Sequence, residues 1–215
     1  MIDFHMHSYF SDGVLGIAEI LRRAKQKGYR ALAVTDHCDA ANMLDNIKKL
    51  KEFKKLSEDF YDIDFLVGIE LTHIIPAQVS DLAARARDNG AQIIVLHGET
   101  IVEPVMPGTN LAGVQSDIDI LAHPGFISDE AAQIAAENGV YLEITSRAGH
   151  SYTNGYVAKK ALEHGAKLLV DTDSHQPSDL ITIEFAKQIL LGAGLDERQT
   201  ETVFSNAQEL LEKRK

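Results

Sequence analysis

Seven short apolar runs alternate with amphipathic helical stretches along this chain, and that alternation is what most restricts its fold. The runs are IDF at 2–4, ALAVT at 31–35, IDFLVGI at 63–69, QIIVL at 92–96, DILA at 119–122, VYLEI at 140–144 and KLLVD at 167–171. Between them lie IAEILRRAKQKG, NIKKLKEFKKLSEDF, VSDLAARARDNG, DEAAQIAAENG, GYVAKKALEHG and SDLITIEFAKQILLGAG, with a closing helix expected over 196–212. Several of these helical stretches stop at a glycine (Gly28, Gly90, Gly139, Gly165), the residue that a left-handed helix cap favours. Strands that are apolar throughout are buried on both faces. Strand–helix alternation of that kind therefore predicts a parallel sheet clothed in helices. Seven strands suggest a closed barrel, short of the usual eight. No linker, repeat or low-complexity segment interrupts the 215 residues, so residues 1–215 are expected to form a single domain.

Composition narrows the function. Hydrophobic residues at 45% and charged residues at 25% are ordinary for a globular protein. The N-terminus lacks the pattern of a signal peptide, and no apolar run approaches the ~20 residues that span a bilayer, so no membrane association is expected. A single cysteine, Cys38, forms no internal disulfide and reads as a small packing residue; a reducing cytoplasm is the expected location. The net charge of −11 and the absence of a basic stripe argue against long nucleic acid. The densest basic stretch, KKLKEFKK at 48–55, has the spacing of a solvated helix face.

The chemistry lies at the ends of the runs. His5 and His7 stand two apart, so an extended strand aims both imidazoles to one side, with Asp12 close behind. The second run ends in TDH (His37), the third in GIE (Glu70), the fourth in VLHGE (His97) and the fifth in LAHPG (His123). The sixth carries Glu143, and the seventh ends in DTDSH (Asp173, His175). In a parallel barrel every strand C-terminus opens on one face, where active sites are built. Six histidines and several carboxylates converging there need partners, and divalent cations suit that donor set. His164, in ALEHG, is different: at a helix end its charge suits the dipole, a structural role.

HMHSYFSDG, TDH, GIE, VLHGE, AHPG and DTDSH, in that order, resemble the PHP superfamily (polymerase and histidinol phosphatase), and the resemblance runs from His5 to His175. It implies a distorted TIM-like (β/α)7 barrel holding two or three divalent metal ions, zinc, manganese or iron. Carried over by motif, one ion would sit on His5, His7, Glu70 and Asp173. Glu70 would bridge to a second ion on His97 and His123, and a third would sit on Asp12, His37 and His175. Some relatives have His at the position of Asp12. Glu143 matches no ligand motif and is expected behind the ligands.

Three divalent ions against three carboxylates would give a net positive pocket inside an acidic protein, which reconciles the overall charge with a phosphate substrate. Two ions sharing a carboxylate are typically ~3.5–4 Å apart and suit a bridging hydroxide that attacks phosphorus in line. The expected activity is hydrolysis of a phosphomonoester on a small phosphorylated metabolite, as in histidinol phosphatases. Arg147, just past the sixth run, is a candidate for bidentate phosphate contact. His73 and His150 are candidates for phosphate contact or for protonating the leaving oxygen. The stretch EPVMPGTNLAG at 103–113 is expected to be a loop over the mouth. The alternatives are a nucleotide or oligonucleotide-end phosphoesterase, an amidohydrolase, and a non-catalytic scaffold barrel. An amidohydrolase commonly has lysine where the fourth run here ends in His97.

Overall fold

The computed structural model describes residues 1–57 and 61–215. Each apolar run becomes a parallel strand: β1 (Ile2–Asp3), β2 (Ala31–Val34), β3 (His37–Cys38), β4 (Asp64–Leu71), β5 (Ile93–His97), β6 (Ile120–Ala122), β7 (Tyr141–Thr145) and β8 (Leu168–Asp171). The sheet order is β1-β2-β4-β5-β6-β7-β8, with β3 also on β4. Ala31 lies opposite Asp64 and His37 opposite Glu70, the same offset. β2 and β3 are thus one strand broken at Thr35 and Asp36, and the seven-strand expectation holds.

Among the described residues eight α-helices cover the sheet: α1 (Ile17–Gln26), α2 (Met43–Ser57), α3 (Val79–Asp88), α4 (Thr109–Val114), α5 (Asp129–Asn138), α6 (Asn154–His164), α7 (Ile183–Gly192) and α8 (Glu197–Arg214). Gly28, Gly90, Gly139 and Gly165 all take positive φ at helix ends, as expected. Three boundaries differ from expectation. α2 begins at Met43 rather than Asn46, and the last part of its expected span, Glu58 to Phe60, lies outside the described residues. α7 begins only at Ile183, because Leu180 and Ile181 are buried and the Thr182 hydroxyl accepts from the Phe185 N–H (3.3 Å). The loop expected over 103–113 is also shorter. α4 occupies its second half, and the Glu99 carboxylate accepts from the N–H groups of Gly108 (3.0 Å) and Asn110 (2.9 Å) at the helix start.

Alternate strand residues divide into two cores. Phe4, Ala31, Ala33, Leu66, Ile93, Val95, Ile120, Ala122 and Leu169 fill the barrel interior together with Ala207, Leu210 and Leu211 of α8. Leu32, Val34, Val67, Ile69, Ile94, Leu96, Leu142, Ile144 and Val170 face the surrounding helices. α8 therefore stoppers the end of the barrel where the strands start. It is tied there by Asn206, which donates to the Leu168 carbonyl (2.9 Å), and by Arg214, which pairs with buried Asp119 (2.6 Å).

The barrel closes without a full ladder between β1 and β8. The Phe4 N–H donates to Asp171 Oδ1 (2.7 Å), and Asp3 Oδ1 accepts from the N–H groups of His5 (3.0 Å) and Thr172 (3.4 Å). Backbone pairing resumes above them, where the His7 N–H donates to the Ser174 carbonyl (2.9 Å). Two carboxylates thus take the place of ladder carbonyls in this seam. Burial pushes Asp3 up to about 6 and Asp171 well above its ordinary value. Among the described residues no helix is long and apolar enough to cross a membrane.

Candidate metal centre

The strand C-termini open opposite α8, and there the structure brings together all nine residues expected to be ligands. Potential ligand atoms lie within 4.8 Å of one another in four overlapping groups: His7, Asp12, His37 and His175; His5, His123 and Asp173; His5, His7 and Glu70; and Glu70, His97 and His123. Only Asp12 and His37 have substantial exposure; the rest are buried or nearly so.

Local backbone explains how they meet. The chain stays extended past β1, so His5 and His7 project to one side with ring centroids 5.1 Å apart. The Asp36 carboxylate accepts from the Ser8 N–H, the Ser8 hydroxyl and the Ser11 hydroxyl, each at 2.7 Å, and so fixes the turn that carries Asp12. Gly13 completes that turn, since a Cβ there would collide with the His7 carbonyl. His73, His123 and Asp173 all have positive φ (52°, 28° and 49°), a conformation that non-glycine residues rarely take. It turns three side chains at strand ends back over the mouth, and backbone strain of this kind gathers at functional sites.

Hydrogen bonds on the far ring nitrogens fix the tautomers. His5 Nδ1 donates to Glu143 Oε1 (2.6 Å), which leaves its Nε2, 3.3 Å from Glu70 Oε1, for a proton or a cation. Burial opposes protonation there, but Glu143, Glu70 and Asp173 raise the ring's proton affinity well above its ordinary value. His175 Nδ1 donates to the Asp173 carbonyl (2.9 Å) and His97 Nδ1 to the Gly98 carbonyl (3.2 Å); their Nε2 atoms face Asp12 (3.1 Å) and Glu103 (3.3 Å). Glu143 also accepts from the backbone N–H of His123 (3.0 Å), so it braces the His5 ring and the main chain that carries His123 from behind, as expected of a carboxylate outside the ligand set.

Lone pair facing lone pair is repulsive unless positive charge lies between them. His5 Nε2, His7 Nε2 and Glu70 Oε1 are buried with no hydrogen-bond partner, an arrangement that native interiors avoid. The proton affinities point the same way. Burial opposes ionisation of Glu70 and Asp173, yet histidines hold both below the carboxylate range: His37 and His5 for Glu70, His5 and His7 for Asp173. Burial lowers His7 to about 4 and, with His97 nearby, keeps His123 well below its ordinary value, so both rings are neutral donors. Burial also opposes protonation of His37, but Glu70 and Asp12 lift it to about 10. Positive charge is wanted where these donors converge, and the donor set fits divalent cations.

The three residues expected near the phosphate reach the same mouth. Arg147 Nε is 3.6 Å from Asp173 Oδ2, and its Nη1 is 3.5 Å from Asp179 Oδ2. His150 is buried, with Nδ1 on the Thr100 hydroxyl (2.9 Å) and Nε2 3.3 Å from Glu103. His73 is half-exposed and faces the same carboxylate at 3.4 Å. Glu103 was not legible as a site residue: it stands in a loop, remote in sequence from two of the three histidines it meets. His97 and burial set its proton affinity in opposition, and His97 prevails, lowering it to about 2. Asp36 and Thr72, whose hydroxyl is 2.7 Å from His37 Nδ1, are two further supports without a sequence signal beyond adjacency to ligands. His164 pairs with Asp129 (2.8 Å) on the surface, beside Lys160, away from the mouth. Cys38 is buried, which pushes its thiol up to about 12.

Comparison with known proteins agrees with this geometry. The family model for the PHP domain matches residues 3–100. The chain is 50% identical to an uncharacterized protein of Methanocaldococcus jannaschii, over 98% of each. It is 32% identical to a probable phosphatase of Shewanella sp., over 81% of this chain and 76% of the other. Among solved structures, histidinol phosphate phosphatase from Lactococcus lactis, complexed with zinc, L-histidinol and phosphate, shares the fold. Its TM-score is 0.62 at 15% identity, over 97% of this chain and 93% of that one.

Proposed function

The chain belongs to the PHP domain family, and from that premise we propose that it hydrolyses phosphomonoesters of small metabolites at a centre of two or three divalent cations. The observation that carries this reading is the set of buried, unpartnered ligand atoms of His5, His7 and Glu70 at the barrel mouth. Zinc, manganese and iron all suit imidazole and carboxylate donors without thiolate. His5, His7, Glu70 and Asp173 would hold one cation, Glu70, His97 and His123 a second, and Asp12, His37 and His175 a third. Bound there, such cations supply a nucleophilic water at neutral pH and neutralise phosphoryl charge.

The protein's own residues do the rest. Glu70 faces His5 and His123 with one oxygen and His37 and His7 with the other, so it suits a bridge between two cation positions. Glu143 holds His5 in the tautomer whose Nε2 faces the mouth. Arg147, at the rim beside Asp173, offers a planar fork to phosphate oxygens. His150 is anchored through Nδ1 and presents Nε2 to the same space, where it contacts the phosphate or returns a proton to the leaving oxygen. His73 is placed for a similar contact. We read residues 1–215 as one catalytic domain, because a continuous core runs from Met6 to Val203. The acidic chain offers no stripe for long nucleic acid, which favours a small substrate in the reducing interior of the cell.

The test is to strip the protein with chelator, reload it with each metal, and measure phosphate release from a panel of phosphorylated metabolites and nucleotides. Release that vanishes on stripping and returns on loading is expected. A protein that holds two or more cations per chain yet releases no phosphate from any of them would overturn the reading and favour an amidohydrolase or a scaffold.

A further inference from the structure

Glu103 is a carboxylate that reaches the mouth from the loop after β5, outside the set of expected ligands. Its Oε2 lies 3.3 Å from His97 Nε2 and 3.4 Å from His73 Nε2, and its Oε1 lies 3.3 Å from His150 Nε2. Three imidazoles from the ends of β4, β5 and β7 thus surround one anion, and two of them, His73 and His150, are residues assigned above to the substrate's phosphate. None of the three distances reaches the 2.7–2.9 Å of a committed charge-assisted hydrogen bond. The carboxylate is shared among its partners and bound fully by none.

The loop around it is built to let go. Its base is fixed: the Glu99 N–H donates to Asn110 Oδ1 (2.9 Å), Asn110 Nδ2 donates to the Pro124 carbonyl (2.8 Å), and the Glu99 carboxylate caps α4. Gly125 lets the loops after β5 and β6 meet backbone to backbone, since a Cβ there would strike the Glu99 carbonyl. The tip, by contrast, exposes Ile101, Val102 and Met106, and Glu103 itself is about a third exposed. With the base pinned and Glu103 on an exposed tip, its side chain has room to swing outward while the strand ends stay still.

We propose that Glu103 is a displaceable anion: in the free protein its carboxylate occupies the position between His73 and His150, beside the candidate ligand His97, and the phosphate of a substrate or product takes that position from it. The inference rests on the phosphatase reading above. Like charges do not share one cluster of imidazoles, so phosphate binding requires Glu103 to swing out, and its return favours release of the product. Glu103 thereby sets how tightly the site holds any phosphate, whatever the group attached to it.

The probe is inorganic phosphate, titrated calorimetrically into metal-loaded protein, with metal content measured on the same samples. Glu103→Gln keeps the shape and removes the charge; phosphate should bind at least tenfold more tightly than to the wild type, with metal content unchanged. Glu103→Ala should show the same gain, which guards against a new contact made by the amide. Unchanged phosphate affinity in both variants overturns the inference. So does weaker phosphate binding, which with lost metal would make Glu103 a ligand and with metal intact would make it a phosphate contact. Phosphate release by a wild type whose variants bind phosphate no better removes this inference alone. No phosphate binding by any of the three proteins, with no phosphate release, removes the proposed function as well.

Discussion

The two ends of the barrel are made from the same strands and obey opposite rules. At the end where strands begin, Ile2, Ile93, Ile120 and Leu169 meet Leu210 and Leu211 of α8, and the charges nearby are paired, as Arg214 is with Asp119. At the end where strands finish, within a strand's length, imidazoles and carboxylates face one another with orphaned atoms and strained backbone. One end accumulates satisfied apolar contact. The other holds like groups close together in a conformation that the rest of the fold imposes. Stability and chemistry are thus separated along the barrel axis, and substitutions at the two ends should fail in different ways.

The sharpest break should come from Glu70→Gln. The side chain keeps its volume but loses the charge that faces four histidines, and metal-derived stabilisation is worth several kcal/mol. Phosphate release should fall by about a thousandfold or more, at ~1.4 kcal/mol per factor of ten, with the circular dichroism spectrum retained. Near-normal turnover would show that the strand-finish end does not depend on that carboxylate. Next in size is Leu210→Ala in the stopper. Removing a fully buried leucine should lower unfolding free energy by about 3 kcal/mol in denaturant titrations, while turnover of the folded fraction stays the same. A loss of turnover as large as the loss of stability would erase the separation of the two ends. The smallest effect belongs to the rim. Arg147→Ala should weaken phosphate binding by about tenfold, Arg147→Lys should recover it in part, and metal content should not move, since a guanidinium has no lone pair to give. Unaltered phosphate binding would leave Arg147 as a partner of Asp173 and Asp179 only.

The ends also differ in how openly the sequence declares them. Apolar runs separated by helical periodicity are local signals, and they marked every strand and nearly every helix. Short α4 was hidden because its residues, TNLAGV, sit in a stretch rich in Pro and Gly. The nine candidate ligands were legible because each stands at the end of its own run, so that topology alone brings them to one mouth. Glu103 and Asp36 were not, since their roles depend on where loops fold back in space. Asp36 is a neighbour of His37 whose work is to hold Ser8 and Ser11 from another loop. Glu103 meets rings from three different strand ends. The helix spacing that placed KKLKEFKK on α2 says nothing of this kind, and neither does any pattern confined to a few residues.

The seam between β1 and β8 bears on the order in which the molecule is assembled. Its two banks lie at opposite ends of the chain: the Phe4 N–H and the Asp171 carboxylate that meet there are 167 residues apart. His5 and His7 stand on one bank, Asp173 and His175 on the other. A nascent chain that has emerged only as far as β5 carries His5, His7, His37 and Glu70, but it has no Asp173 to face them. Loop closure over such a separation is the slowest kind of contact for a folding chain to make. The mouth is therefore complete only when the final strand docks against the first. A cation held by donors from both banks would act as a clasp on a loop that spans most of the chain, locking the barrel shut at the moment it becomes able to work.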